Sequence, residues 1–179
     1  EAFTFVGTSL DGSGDASLAL QAATGLAAIN DKLGDAMGAS TLIAQAIQDY
    51  EASPGRGGDD AVHLSAAYRA LGNSRILQRA FDEAREAFGR AYVLAEEANA
   101  PETLVDVLNG QAAVHYYLGE VPDAEATFKK ALEIADQWDL IEHRAVLLNN
   151  LGELAWSRKD SAEALDLLER AEALSRFVG

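Results

Sequence analysis

The alternation of apolar and polar positions predicts helices along almost the whole chain. Small and large apolar residues recur with the spacing i, i+4, i+7, which places them on one face of a helix. The clearest case is Ala124, Phe128 and Ala131. Alanine at both ends lets a neighbouring helix approach closely, and phenylalanine fills the space between them. We therefore expect amphipathic helices that pack tightly against each other.

The same frame returns at a fixed interval, which indicates a repeat array. Each copy begins with a turn residue and continues with a small, a large and a small residue. The four frames are Gly34-Ala39-Ile43-Ala46, Arg79-Ala84-Phe88-Ala91, Gly119-Ala124-Phe128-Ala131 and Lys159-Ala164-Leu168-Ala171. The last three are 40 residues apart, and the first interval is 45. The surplus falls in the segment SPGRGGDD, residues 53–60, whose composition is that of a loop.

A second helix precedes each frame. In two copies it carries a glycine at its centre, Gly72 and Gly152. Glycine inside a helix costs about 1 kcal/mol relative to alanine, so these positions predict close contact within a helix pair. The predicted pairs are 17–31 with 36–52, 60–77 with 81–98, 102–117 with 122–137, and 142–157 with 161–176.

Two segments of the chain resemble the tetratricopeptide repeat (TPR) family. They are YRALGNSRILQRAFDEAREAFGRAYVLAEEA and LNNLGELAWSRKDSAEALDLLERAEAL. They share the order L-G, then A-x3-F/L-x2-A. The period of 40 residues resembles the long-helix variety found in bacterial signalling regulators and kinesin light chains. The resemblance implies an all-α fold, a right-handed α-solenoid of about four helix-turn-helix repeats. The chain departs from the family where His115 replaces an aromatic residue of the first helix.

The repeats divide the chain into five segments. The expected division is an N-terminal arm outside the repeats at 1–16, a degenerate repeat plus loop at 17–59, and three further repeats at 60–100, 101–140 and 141–179.

The resemblance implies a non-catalytic scaffold for protein–protein interaction. Its first helices would line a concave groove that binds a peptide segment of a partner. In peptide-binding members, asparagine in this part of the groove pairs with both N–H and C=O of an extended peptide. The alternative is that these asparagines cap turns or face water. The candidate groove residues are Arg69, Asn73, Asn109, Tyr116, Asn149, Asn150 and Glu153.

Arg69 and Asn73 have the four-residue spacing of the family's clamp for a peptide carboxylate. The equivalent positions of later repeats do not supply the other cations that such a clamp needs. Tyr116, Tyr117 and Trp156 offer aromatic area either to a ligand or to the core.

The charge excludes some partners. The chain has 29 acids and 14 bases, with a formal net charge of −15. Binding to nucleic acid or to an anionic membrane surface needs clustered Lys and Arg, so we expect neither. Residues 101–140 carry eight acids and two bases. Long-range attraction favours a basic or neutral partner, although acids on outward faces also serve solubility alone.

The residues that chemistry would need are sparse. The chain has no cysteine, which excludes disulfides and thiolate metal sites. The three histidines, His63, His115 and His143, form no i, i+4 pair, and neither an H-E-x-x-H nor a phosphate-loop motif is present. We expect no enzymatic activity, no cofactor and no metal, and we expect His115 to be a packing spacer.

Two other functions stay open at this point. One is a peptide-sensing or regulatory segment of a larger bacterial signalling or transcriptional regulator. The other is a homodimer that forms through the C-terminal helix, because repeat arrays need a polar cap and none follows Phe177. The sequence has no initiating Met and no signal-peptide pattern. We expect a fragment of a longer chain, located in the cytoplasm.

Overall fold

The computed structural model describes residues 13–53 and 60–178. In these ranges the secondary structure is entirely helical. The helices are α1 (Ser13–Lys32), α2 (Ala36–Ala52), α3 (Asp60–Leu77), α4 (Phe81–Glu97), α5 (Pro101–Tyr117), α6 (Val121–Gln137), α7 (Ile141–Ser157) and α8 (Ser161–Val178).

The predicted helix ends agree with the structure to within one residue, with two exceptions. Helix α1 begins at Ser13, four residues before the predicted start, and α8 ends at Val178 instead of residue 176. The last four residues of the predicted arm, 13–16, therefore belong to α1. Residues 1–12 of the arm and 54–59 of the loop lie outside the described residues.

The chain divides into two compact units, residues 1–98 and 99–179. In the first unit α1, α2 and α3 pack against one another, and α4 packs on α3. Its core is built mainly from small and branched apolar side chains, as the frames predict. The central cluster is Leu20, Ala27, Ala39, Ile43, Ile47, Tyr50, Leu64 and Ala67.

In the second unit α5 packs on α6, α7 packs on α8, and α7 also contacts both α5 and α6. The alanines of the frame are buried here as well, including Ala124 and Ala131, which are fully inaccessible. Larger core side chains fill the space between the helices: Val105, Leu108, Phe128, Leu147, Leu148, Leu151 and Leu154.

The predicted close contact within helix pairs is confirmed at both central glycines. A Cβ atom placed on Gly72 would lie 2.7 Å from a ring carbon of Phe88. On Gly152 it would lie 2.9 Å from Cγ of Leu168. In each pair the glycine of the first helix thus receives the large residue of the frame on the second helix.

The first residue of every frame has the left-handed backbone conformation. Gly34, Arg79, Gly119 and Lys159 have φ values of 85°, 60°, 78° and 66°. At Gly119 the following residue, Glu120, donates its N–H to the carbonyl of His115 at 2.9 Å. This bond spans six residues, as in a Schellman motif, and it ends the first helix so that the second can begin.

Among the described residues, no helix is both long enough and apolar enough to cross a membrane.

Candidate functional site

Side chains of α5 and α7 line a cleft with two pockets. The first, called here the acidic pocket, has a volume of about 180 Å³. Val105 and Leu147, each 1% exposed, form its floor. Its carboxylates are Asp106 and Glu142, and His143 Nε2 lies 3.4 Å from Asp106 Oδ1. The full lining is Val105, Asp106, Asn109, Glu142, His143, Val146 and Leu147.

The second pocket, called here the tyrosine pocket, has a volume of about 150 Å³. Phe128 and Leu154 are buried at its base. Tyr116 and Tyr117 are exposed and meet edge to face, with ring centroids 5.8 Å apart. The lining is Ala113, Tyr116, Tyr117, Phe128, Asn150, Glu153 and Leu154.

An asparagine pair joins the two pockets. Asn150 Nδ2 on α7 donates to Asn109 Oδ1 on α5 at 2.7 Å, in a half-buried position. Asn109 lines the acidic pocket and Asn150 the tyrosine pocket. Asn109 Nδ2 and Asn150 Oδ1 make no other hydrogen bond to the described part of the chain. The pair therefore presents one amide donor group and one carbonyl acceptor to a ligand.

Asn149 lies outside this pair although it is adjacent in sequence to Asn150. Its Nδ2 donates to Glu153 Oε1 at 3.1 Å, and its side chain is exposed. It lines a third pocket of about 570 Å³ between α7 and α8, called here the terminal groove. That lining is Glu142, Ala145, Val146, Asn149, Leu168, Ala171, Glu172 and Ser175.

The structure thus brings together four of the seven predicted groove residues: Asn109, Tyr116, Asn150 and Glu153. Arg69 and Asn73 lie on α3 in the first unit, where Arg69 is half-buried and Asn73 is exposed.

The acidic pocket contains two residues of α7, Glu142 and His143, that were not selected from the sequence. Asp106 and Glu142 supply its negative charge, and His143 contacts Asp106. A signal for both was present, because Glu142 and His143 lie four and three residues before Val146, and Asn150 and Glu153 follow Val146 at intervals of four and three residues. This spacing places them on one helix face, and extending the Asn150 face towards the start of α7 would have found them.

Three side chains outside the linings of the two pockets have pKa values that differ from their ordinary ones. Burial raises the pKa of Asp31, and a hydrogen bond from Ser74 offsets part of that effect. Burial and the hydrogen bond to Glu51 raise the pKa of Tyr68 to about 12. The Lys129 hydrogen bond lowers the pKa of Glu125. Shifted pKa values cluster at catalytic sites, and none of these three groups is in the lining of either pocket.

One contact in the first unit has the residue types of a nucleophile and a base. Ser17 Oγ lies 3.0 Å from His63 Nδ1, and Gln21 Nε2 is 3.4 Å from both atoms. A catalytic arrangement also needs a third group that orients the base. Among the side chains of residues 16–53 and 61–177, His63 Nε2 has no such partner. The contact links α1 to α3 through polar groups.

A second cluster lies at the turn between α5 and α6. His115, Glu120 and Asp123 each offer one ligand atom, all within 4.8 Å of one another. His115 Nδ1 is hydrogen-bonded to Glu120 Oε2 at 2.6 Å, and the imidazole is half-buried. A hydrogen bond across the turn accounts for this arrangement, and the expectation of no metal and no cofactor stays a prediction.

Paired helices joined by identical turns, with a polar cleft between the first helices of adjacent pairs, define a helical-repeat protein. Residues 103–176 match the tetratricopeptide repeat family. These residues belong to that family, and the resemblance inferred from the sequence is confirmed. No curated protein matches the chain significantly.

Solved structures share the fold over nearly the whole chain. BtubC (BKLC) from P. vanneervenii is 24% identical with a TM-score of 0.75, over 90% of this chain and 64% of that one. Aspartyl phosphate phosphatase F from Bacillus subtilis is 13% identical with a TM-score of 0.80, and the match covers 96% of this chain and 43% of that one. A third structure is a Podosopora anserina protein of nearly identical TPR-like repeats, described as a kinesin light chain. It is 18% identical with a TM-score of 0.71, and the match covers 90% of this chain and 76% of that one.

The predicted fold class, all-α with TPR-like helix pairs, is thereby confirmed. The chain spans less than two thirds of the length of the first two of these proteins, 64% and 43%. At these identities the likeness concerns the fold alone.

Proposed function

We propose that this chain is a non-catalytic protein–protein interaction scaffold, and that it binds an extended peptide segment of a partner in the cleft between α5 and α7. The observation that supports this proposal is the Asn109–Asn150 pair, which keeps a donor and an acceptor for a ligand. An extended peptide offers the complementary groups, because each residue other than proline has one N–H and one C=O.

The pair would hold the peptide backbone without selecting its side chains. Asn109 Nδ2 would donate to a peptide carbonyl, and Asn150 Oδ1 would accept from a peptide N–H. Each such bond contributes about 0.5–1.5 kcal/mol net. Two bonds therefore change affinity by roughly one to two orders of magnitude, and the remaining affinity must come from the pockets on either side.

A peptide-selection experiment with a matched control tests this function. Random twelve-residue peptides displayed on phage are selected against the purified chain, and the winners are titrated against variants. We expect Asn109→Ala with Asn150→Ala to weaken binding roughly tenfold or more. Gln137→Ala removes an exposed amide side chain from α6 that lines none of the three pockets, so its affinity should stay within about twofold of the original. Thermal unfolding of each variant verifies that the fold is intact.

Two results would overturn the proposal. One is a selection that enriches no peptide. The other is a set of selected peptides that bind the Asn109/Asn150 double variant as tightly as the unchanged chain.

The remaining candidate positions stay predictions. Arg69 and Asn73 are proposed to contact a peptide along α3, and Asn149 along the terminal groove. The regulatory role within a larger bacterial protein and the cytoplasmic location are also proposals.

A specific observation favours self-association as a second candidate. Val146 is 52% exposed and Leu168 is 37% exposed at the terminal groove. We propose a second copy of this chain as its occupant, because the two sides of a twofold contact would bury these apolar side chains in each other.

A further inference from the structure

The acidic pocket has the distribution of apolar and charged groups that suits a long cationic side chain. Val105 and Leu147 provide an apolar floor, and Asp106 and Glu142 stand beside it. Lysine and arginine bury their methylene stems along apolar surface and keep the charged head among polar groups. An aliphatic residue would fill the floor but make no interaction with the carboxylates.

The charges around the cleft also favour a cation. Three carboxylates, on Asp106, Glu142 and Glu153, occur in the linings of the two pockets, and neither lining contains Lys or Arg. His143 Nε2 lies 3.4 Å from Asp106 Oδ1, and Glu142 is the second carboxylate beside the apolar floor. The excess of acids over residues 101–140 adds a long-range attraction that salt screens.

The tyrosine pocket suits an apolar side chain. Phe128 is 5% exposed and Leu154 2% exposed at its base, and the tyrosine rings form a wall. Its volume of about 150 Å³ is close to that of an engineered apolar protein cavity that holds benzene. A leucine or phenylalanine side chain therefore has the appropriate size.

The separation of the pockets fixes the spacing of the two side chains. Along both α5 and α7 the pocket linings are offset by about eight residues, or roughly 12 Å at 1.5 Å per residue. An extended peptide advances about 3.3 Å per residue and places residues i, i+2 and i+4 on one face. Residues i and i+4 are then about 13 Å apart, which matches the separation. Residue i+2 faces the Asn109–Asn150 pair and must be small.

We infer that the cleft selects peptides in which a lysine or arginine stands four residues from a leucine- or phenylalanine-sized apolar residue, with a small residue midway. The cation occupies the acidic pocket, the apolar side chain occupies the tyrosine pocket, and the backbone between them bonds to the asparagine pair. This inference rests on the proposed peptide-binding function and adds the sequence class of the ligand.

Short labelled peptides test the motif directly. The probes are GSKSASLSG and its opposite polarity GSLSASKSG, each with a fluorescein label, measured by fluorescence polarisation. Two control peptides accompany them: GSESASLSG reverses the charge, and GSKSALSSG shortens the spacing by one residue. We expect one of the two probes to bind roughly tenfold or more tightly than both controls, with the advantage over the glutamate peptide shrinking at high salt.

Protein variants assign the preference to the acidic pocket. Asp106→Asn with Glu142→Gln should reduce the affinity for the lysine probe roughly tenfold and erase its advantage over the glutamate peptide. Glu133→Gln with Glu169→Gln removes the same charge from exposed positions outside both pockets, and the preference should persist.

The two proposals fail in distinguishable ways. If phage-selected peptides depend on the Asn109–Asn150 pair but lysine and glutamate probes bind equally, or neither binds, the motif is overturned and the peptide-binding function stands. If no peptide from either source binds, both are overturned. A lysine preference that survives in the Asp106/Glu142 variant also overturns the motif, because the acidic pocket is then not its source.

Discussion

Asp31 on α1 holds a carboxylate in a position that favours its neutral form. Its Oδ2 accepts a hydrogen bond from the buried Ser74 at 2.7 Å. Its Oδ1 is inaccessible and has no hydrogen-bond partner among the described residues. Burial raises the pKa of Asp31 above its ordinary value of 3.8, the Ser74 bond partly lowers it, and Asp35 raises it again.

Substitution of Asp31 by Asn is expected to change how stability depends on pH. Because the folded pKa of this acid is raised, its contribution is fully present below about pH 4 and is lost as the pH rises through the folded value. The unfolding free energy of Asp31→Asn relative to the unchanged chain should therefore increase between about pH 4 and about pH 7. Urea unfolding at several pH values measures it.

The control for this experiment is Asp49→Asn, which alters an exposed carboxylate on α2. Its stability should follow the unchanged chain across the pH range. Parallel curves for Asp31→Asn as well would contradict the assigned burial effect.

At the scale of the element, the central glycine of α3 sets how closely the helices of a pair approach. A Cβ atom at Gly72 would overlap the ring of Phe88, which is fully buried and cannot move aside freely. We expect Gly72→Ala to destabilise the chain by about 1–3 kcal/mol through overpacking, as measured by urea unfolding.

Gly89 on the partner helix α4 gives the opposite expectation. A Cβ atom there meets nothing within 4 Å, so Gly89→Ala should stabilise the chain by about 0.5–1 kcal/mol through helix propensity alone. If both substitutions changed stability in the same direction, the close contact at Gly72 would not control the packing.

The helices could be predicted from the sequence because close packing requires small residues at some positions of each helix and large residues at others. Gly72 and Phe88 are complementary in volume, and so are Gly152 and Leu168, two 40-residue repeats further along the chain. The start of α1 was missed because residues 13–16 carry no repeat frame. The nature of the first twelve residues stays a prediction.

The candidate site was predictable only in part, because it depends on the angle at which one helix faces another. Asn149 and Asn150 are adjacent in sequence but about 100° apart around α7. One pairs with Asn109 across the cleft, and the other faces the terminal groove. The 40-residue repeat alone aligns Asn149 with Asn109. Asn150 could therefore be identified as the hydrogen-bond partner of Asn109 only from the packed helices.

At the scale of the whole molecule, self-association through the terminal groove is testable by sedimentation velocity. We expect the unchanged chain to form dimers as its concentration rises, and Val146→Glu to abolish them. A stable interface buries about 800 Å² of surface on each partner. The carboxylate introduced at its centre would lie there unpaired, which opposes dimer formation. Leu165→Glu places the same charge on α8 outside the groove and should leave dimers intact. A monomer at every concentration would contradict self-association.

The exposed aromatic residues near the cleft also make it spectroscopically accessible. Tyr116 and Tyr117 form a wall of the tyrosine pocket, with their ring centroids 5.8 Å apart. The chain has five tyrosines, so the near-ultraviolet circular dichroism of the unchanged chain minus that of Tyr116→Phe with Tyr117→Phe would isolate the signal of these two rings. Occupancy of the cleft could then be followed in an unlabelled protein through the change in that difference signal.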